Sequence, residues 1–331
     1  MEERTDRHDG VLDSGIWLPE TGGPRECDGE FPARDPEGPA GSFRRRHRLA
    51  FWLFLATGAS MFVVGMVPGA SAIELIVGWD SLKPAEKQQA PWNGLLYAGA
   101  LLAILGAHEM GHYLQSRRLG VPATLPFFIP LPISPFGTMG AVILQDGRAA
   151  NRRMLFDIAV TGPLAGLVLA IPIAYVGIQQ SEIRTFVPGQ SGQYGNPLLM
   201  QWMVALAQRP LGPNEDVLLN PLLFAGWVGI FITALNLLPV GQLDGGHILY
   251  TLIGRQAHHV AVGVLVLAVA YMVYSSYYAY VVVVGLLLLM GPKHPPTADD
   301  RVPLGPLRHI VGWLTLAFIV VGFTPMPIVM G

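Results

Sequence analysis

A single cysteine, Cys27, occurs in 331 residues. An intrachain disulfide is therefore excluded, as is a metal site built from thiolates, which leaves His, Asp and Glu as candidate ligands. Charge is scarce as well: Asp, Glu, Lys and Arg make up 13% of the chain, against about 25% in soluble domains. The net charge of -2 argues against nucleic acid as a partner. There is no internal repeat of the solenoid kind, and no loop is long enough for a further folded domain. What the sequence has in place of charge is apolar surface, 51% of its residues. The expectation is an all-α polytopic membrane protein set in a lipid bilayer.

Residues 1–43 mix Asp, Glu, Arg, Gly and Pro with few large apolar side chains. Such a stretch cannot bury enough surface to offset the entropy of ordering, so a disordered tail is expected there and one membrane domain over 44–331. The tail is acidic and lacks an early apolar core, unlike a signal or transit peptide. It ends in Arg44, Arg45, Arg46 and Arg48, which by the positive-inside rule places it in the cytoplasm. The expected location is a bacterial inner membrane.

Apolar stretches follow at about 49–68, 92–114, 154–178, 217–240, 260–275, 277–291 and 307–323. They predict six to seven transmembrane helices, the fifth and sixth being short for a bilayer core of about 30 Å and compatible with one buried hairpin. With the tail inside, the inner loops hold Arg117, Arg118, Arg148, Arg152, Arg153, Arg255, Lys293, Arg301 and Arg308, and the outer loops only Lys83, Lys87, Arg184 and Arg209. That bias agrees with the assumed direction. Residues 198–207 are apolar for too short a run to span, and suit an interfacial or re-entrant segment.

Residues 101–114 read LLAILGAHEMGHYL. Ionisable groups in so apolar a run are costly and point to chemistry. His108 and His112, four apart, share a helix face and can offer two imidazoles to one zinc ion, with Glu109 beside them to move a proton. A catalytic zinc wants a third protein ligand. The fourth stretch ends in NLLPVGQLDGGH, the only other polar cluster of this kind. At 1.5 Å per residue His108 lies roughly 24 Å beyond Trp92, and Asn236 roughly 28 Å beyond Val217. Both stretches run inward, so the clusters meet at similar depth, where Asp244 can supply a carboxylate. Pro239 and Gly241 interrupt the helix before it, which a membrane tolerates only where protein or a water-filled cavity shelters the backbone.

HEMGH in one inward span and NLLPVGQLDGG in a later one together resemble the site-two protease family of intramembrane zinc metalloproteases, peptidase family M50. The likeness extends through PFFIPLP, FGTMGAVI, NRRMLFDIAVTGPLAG, GPKHPP and TPMPI, over roughly residues 90–327. No loop can hold a PDZ insertion, so the chain looks like the PDZ-lacking branch. The resemblance implies a zinc endopeptidase holding one Zn2+ per chain on His108, His112 and Asp244, with Glu109 as general base. It implies cleavage of the transmembrane segment of a single-pass membrane protein, in regulated intramembrane proteolysis. Asn236 matches the family asparagine that holds the substrate backbone or the developing oxyanion. The family also has a re-entrant β-like loop after the zinc helix, here residues 125–144, able to take an extended substrate by β-augmentation or to serve as a hydrophobic plug.

Each role has a plainer alternative. Asp244 can cap a broken helix, Asn236 can bond a neighbouring helix, and His247 suits a supporting or interfacial place better than direct contact. Asp157 has no role that follows from spacing, and helix packing or a partner such as Arg153 is expected. Gly162 and Gly166 form a GxxxG step that lets backbones approach. Tyr277, Tyr278 and Tyr280 suit an aromatic belt at the outer interface. A proton-coupled transporter and a non-catalytic scaffold are the rival classes, and the sequence leaves oligomeric state open.

Overall fold

A computed structural model describes residues 40–145, 149–185, 193–212, 215–292 and 294–329. The chain divides into two units, Met1–Ser42 and Phe43–Gly331. Nearly all of the expected tail, with Arg148 and Lys293 of the charge argument, lies outside the described residues. The second unit is mostly helical, and its centre is the long helix Arg152–Gln179.

The helices are α1 (Ala40–Gly65), α2 (Ala72–Gly78), α3 (Pro84–Arg118), α4 (Arg152–Gln179), α5 (Leu198–Ala207), α6 (Pro221–Asn236), α7 (Asp244–Ile253), α8 (Ala257–Ser275), α9 (Val281–Met290) and α10 (Pro306–Gly322). Three two-stranded antiparallel sheets pair β1 (Phe127–Leu131) with β2 (Gly137–Val142), β3 (Ile183–Thr185) with β5 (Glu215–Val217), and β4 (Gln193–Tyr194) with β6 (Ile328–Val329). The ends of α3 follow from local chemistry. Pro84 opens it, where the missing N–H has no partner to lose, and Glu86 reaches back to accept the Lys83 N–H at 2.8 Å. Arg117 and Arg118 close it against the negative end of the helix dipole.

Four helical stretches among the described residues are long and apolar enough to cross a membrane: His47–Gly65, Pro84–Arg118, Arg152–Gln179 and Asp244–Ser275, the last joining α7 and α8 through a short 3-10 turn. All seven apolar stretches of the sequence fall on helices, but α6, α9 and α10 are shorter. The stretch at 217–240 is helical over 16 residues only, because β5 takes its start and the turn with Pro239 and Gly241 takes its end. Gly241 adopts φ +55°, a conformation that stops a helix. The ten-residue run at 198–207 is one helix, α5.

α3, α6 and α7 all pack on α4. Small residues permit this: Gly226 faces Ala174 so closely that a Cβ would come within 2.5 Å of the Ala174 side chain. The main core joins Tyr97, Leu101, Ile104 and Leu105 of α3 to Ala170, Ala174 and Ile178 of α4 and to Phe224, Trp227, Ile230 and Phe231 of α6. The β1–β2 hairpin, over the stretch expected to be β-like, pairs Phe127 with Val142 and Leu131 with Gly137, with an irregularity between Phe128 and Pro130. Its turn is tied at two points: Tyr97 donates to the Phe136 carbonyl at 2.9 Å, and Ser60 to the Gly137 carbonyl at 2.6 Å. Phe136 packs among the rings of Phe224, Trp227 and Phe231. The hairpin is thereby held beside α1, α3 and α6.

Candidate metal centre

α3 carries His108 and His112 on consecutive turns, buried and facing α4 and α7. Their Nε2 atoms are 3.2 Å apart. Asp244, the first residue of α7, places Oδ2 3.1 Å from His108 Nε2 and Oδ1 3.3 Å from His112 Nε2. The other ring nitrogen of His112 is committed, since Nδ1–H donates to the Ile158 carbonyl of α4 at 2.8 Å. That bond leaves Nε2 of the neutral ring with a lone pair. Electron-rich atoms from three residues therefore converge on one point, an arrangement that repels itself unless a proton or a cation sits among them.

The spacing suits a cation. A tetrahedral zinc with ligand bonds of about 2.0–2.1 Å has donor–donor edges of about 3.3–3.4 Å, close to the separations found here. Among the described residues this is the one group of three His, Cys, Asp or Glu donors drawn together, all within 4.8 Å. The room for it comes from α4. A Cβ at Gly162 would overlap the His112 ring, and one at Gly166 would lie 3.2 Å from His108 Cβ. The GxxxG step thus lets the histidine rings lie against the helix.

Glu109 is 7% exposed, one residue from His108 and three from His112, and makes no hydrogen bond or ion pair among the described residues. A largely buried carboxylate without a hydrogen-bond partner is costly to desolvate, and such groups cluster at functional sites. Asn236 ends α6, half-buried, and its side chain likewise makes no hydrogen bond among the described residues. It lies near Asp244 because the first turn of α7 sits on the end of α6: a Cβ at Gly245 would overlap the Leu237 carbonyl.

Two expectations need correcting or refining. The partner of Asp157 is Arg308 of α10, bound through both carboxylate oxygens at 2.7 and 2.9 Å, whereas Arg153 donates to the Pro303 carbonyl. The pair joins α4 to α10, so the Asp157 carboxylate is held by Arg308. His247, one turn beyond Asp244, bonds His294 in the loop after α9, Nδ1 to Nε2 at 2.5 Å. Sequence reasoning did not single out His294; its one mark was a histidine held between a lysine and two prolines in GPKHPP.

The fold and the cluster together define a class: a polytopic helical protein with a buried two-histidine, one-carboxylate centre and a free acid beside it. Residues 96–276 match the family model described as Peptidase family M50, and the chain belongs to that family, as its resemblance implied. Curated relatives include "Probable zinc metalloprotease EGY2, chloroplastic" of Arabidopsis thaliana, 30% identical over 64% of this chain and 38% of that protein. "Probable zinc metalloprotease EGY1, chloroplastic" of Oryza sativa subsp. japonica is 34% identical over 50% of this chain and 29% of its own length. "Probable zinc metalloprotease EGY3, chloroplastic" of Oryza sativa subsp. indica is 29% identical over 68% and 40%. The chain spans about two fifths or less of the curated relatives it matches. No solved structure matches it. These relatives are named as chloroplast proteins, which gives no support to the bacterial location expected from the sequence.

Proposed function

We propose that the protein is an intramembrane zinc endopeptidase, with His108, His112 and Asp244 holding one Zn2+ per chain. The observation that carries this is the convergence of the three side chains at 3.1–3.3 Å, at the level of a buried and unpartnered Glu109. When bound, zinc there supplies a Lewis acid that polarises a carbonyl and activates water near neutral pH. Glu109 takes the proton of the attacking water and passes it to the leaving amine nitrogen, which lets the peptide bond break without a free charge in a low-dielectric site. Ile158 holds the His112 ring and its tautomer, a support that also raises the basicity of the ligating nitrogen. The Asn236 amide, free of other bonds, steadies the substrate strand or the developing oxyanion.

The substrate is the transmembrane segment of a single-pass membrane protein. A helix hides its peptide bonds, so the segment must be extended where it is cut. On this reading the β1–β2 hairpin, held beside α1, α3 and α6, re-enters the membrane and offers strand edges to such a segment. The charge bias of the loops supports six to seven crossings with the N-terminus in the cytoplasm. The decisive experiment is cleavage of a single-pass test substrate by the purified protein and by Glu109→Gln, with zinc assayed in both. Cleavage lost at full zinc content is expected, and equal cutting by the two proteins would remove the mechanism.

A further inference from the structure

α7 is only ten residues long, yet it begins on Asp244 and so decides where that carboxylate lies. Its first turn is fixed on one side by the α6 end, where Gly245 and Gly246 lie against the Leu237 and Gly241 carbonyls. On the other side it meets residues 294–300. His247 bonds His294 at 2.5 Å, the His294 ring stacks on Tyr250 with centroids 4.3 Å apart, and Tyr250 donates to Asp300 at 2.8 Å. The loop is itself fastened. The His294 N–H donates to His258 Nε2 at 3.2 Å, His294 Nδ1 is bonded to the Pro295 carbonyl at 2.5 Å, and Ala298 N–H donates to the Ala150 carbonyl just ahead of α4 at 2.9 Å. Arg152 of α4 closes the far end, donating to the Thr251 and Leu252 carbonyls at 2.6 and 3.2 Å.

Among the described residues, His247 to His294 is the only side-chain hydrogen bond from the first turn of α7 to anything other than the two histidines of α3. Asp244 and His247 are three residues apart, so both lie on nearly the same face. A helix free to turn by a few degrees about its axis would swing the Asp244 carboxylate, whereas one held at His247 cannot. The tautomers are fixed in the same chain. With Nδ1–H of neutral His294 given to Pro295, its Nε2 is an acceptor, and His247 must donate from Nδ1.

We infer that His294 is a positioning residue for the metal centre, setting the rotation of α7, and with it Asp244, through His247. This rests on the reading of His108, His112 and Asp244 as zinc ligands. Partners of this kind outside the ligand set change metal affinity by about 10- to 100-fold, and a residue acting through another sits at the low end, about tenfold.

The test is zinc affinity of the full-length purified protein, read by competition with a chromophoric chelator. His294→Asn, whose amide cannot reach His247, should weaken zinc about tenfold, while His294→Gln, whose amide reaches the place of Nε2, should stay within about threefold of wild type. Because the effect passes through His247, adding His294→Asn to His247→Ala should cost nothing further. Wild-type affinity in His294→Asn, or losses that multiply in the double variant, would overturn the proposal. If His294→Asn does not fold, the Gln variant decides alone: a loss as large as that of His247→Ala contradicts it. Asp244→Ala in the same assay separates the two readings. If that protein also binds zinc as wild type does, the ligand assignment has failed, and the role of His294 with it.

Discussion

Gly162 of α4 lies directly against the His112 ring, at a distance that leaves no room for a single added carbon. The position of the His112 ring therefore depends on a missing side chain on the neighbouring helix. Gly162→Ala must push the ring or part α3 from α4, and overpacking of a tight core costs about 1–3 kcal/mol. The expected outcome is a protein that still inserts into membranes but retains little zinc after dialysis. Gly166→Ala, whose nearest atom is His108 Cβ at 3.2 Å, should lose much less. Equal zinc retention in both variants would show that the α3–α4 contact does not shape the centre.

Asp157 and Arg308 form a forked ion pair, partly exposed, between α4 and α10. Solvent screening limits its worth to about 1 kcal/mol or less. In a double-mutant cycle with Asp157→Asn and Arg308→Gln, thermal unfolding in detergent should show a coupling of about that size. Zinc content should be unchanged throughout, since neither side chain is among the three that converge as candidate ligands. Loss of zinc in Asp157→Asn alone would instead give this carboxylate a part in the site.

Ser60 and Tyr97 tie the turn of the β1–β2 hairpin to α1 and α3. Removing one such bond costs about 1 kcal/mol. Tyr97→Phe combined with Ser60→Ala should therefore speed hydrogen exchange of the amides in Phe127–Leu131 and Gly137–Val142. If the hairpin receives the substrate, the same variant should lose cleavage mainly through a raised KM. Faster exchange with unchanged KM would favour the plug over the docking edge.

Arg209 pairs with Glu215 at the start of β5, and bonds from Arg209 and from the Gly212 N–H hold the Glu215 carboxyl down at about 2. A depressed pKa fastens residues 209–212 to β5 above the ordinary value of about 4.5, and the contribution fades as pH falls from there towards 2. Both groups are solvent-screened, so the effect is local. Limited proteolysis at residues 209–212 should rise between pH 4.5 and 2 in the wild type. In Arg209→Gln it should rise at higher pH, and an identical profile would show that the ion pair does not hold these residues.

Much of this was legible in the sequence because the physics is local. A spacing of four placed His108 and His112 on one face, and Pro239 with Gly241 marked the break that frees Asp244. The polar cluster after the fourth apolar run named Asp244 as the third donor, and the structure brings it within 3.3 Å of both histidines. The rest depended on contacts distant in the chain or on groups without a sequence signature. Ile158 acts through its carbonyl, which every residue has. Arg308 lies 151 residues from Asp157, and His294 47 from His247, so neither pairing has a periodicity to show it. The length of α6 was overestimated because apolar residues continue past both of its ends into a strand and a turn.

The proposed function requires that two imidazoles and one carboxylate hold a single zinc. X-ray absorption at the zinc edge of the purified protein tests it directly. The prediction is one zinc per chain bound by nitrogen and oxygen at about 2.0–2.2 Å, with two imidazole signatures in the wild type, an unchanged spectrum in Glu109→Gln, and zinc lost in Asp244→Ala. An intact spectrum in Asp244→Ala, or a centre with fewer than two imidazoles, would contradict it.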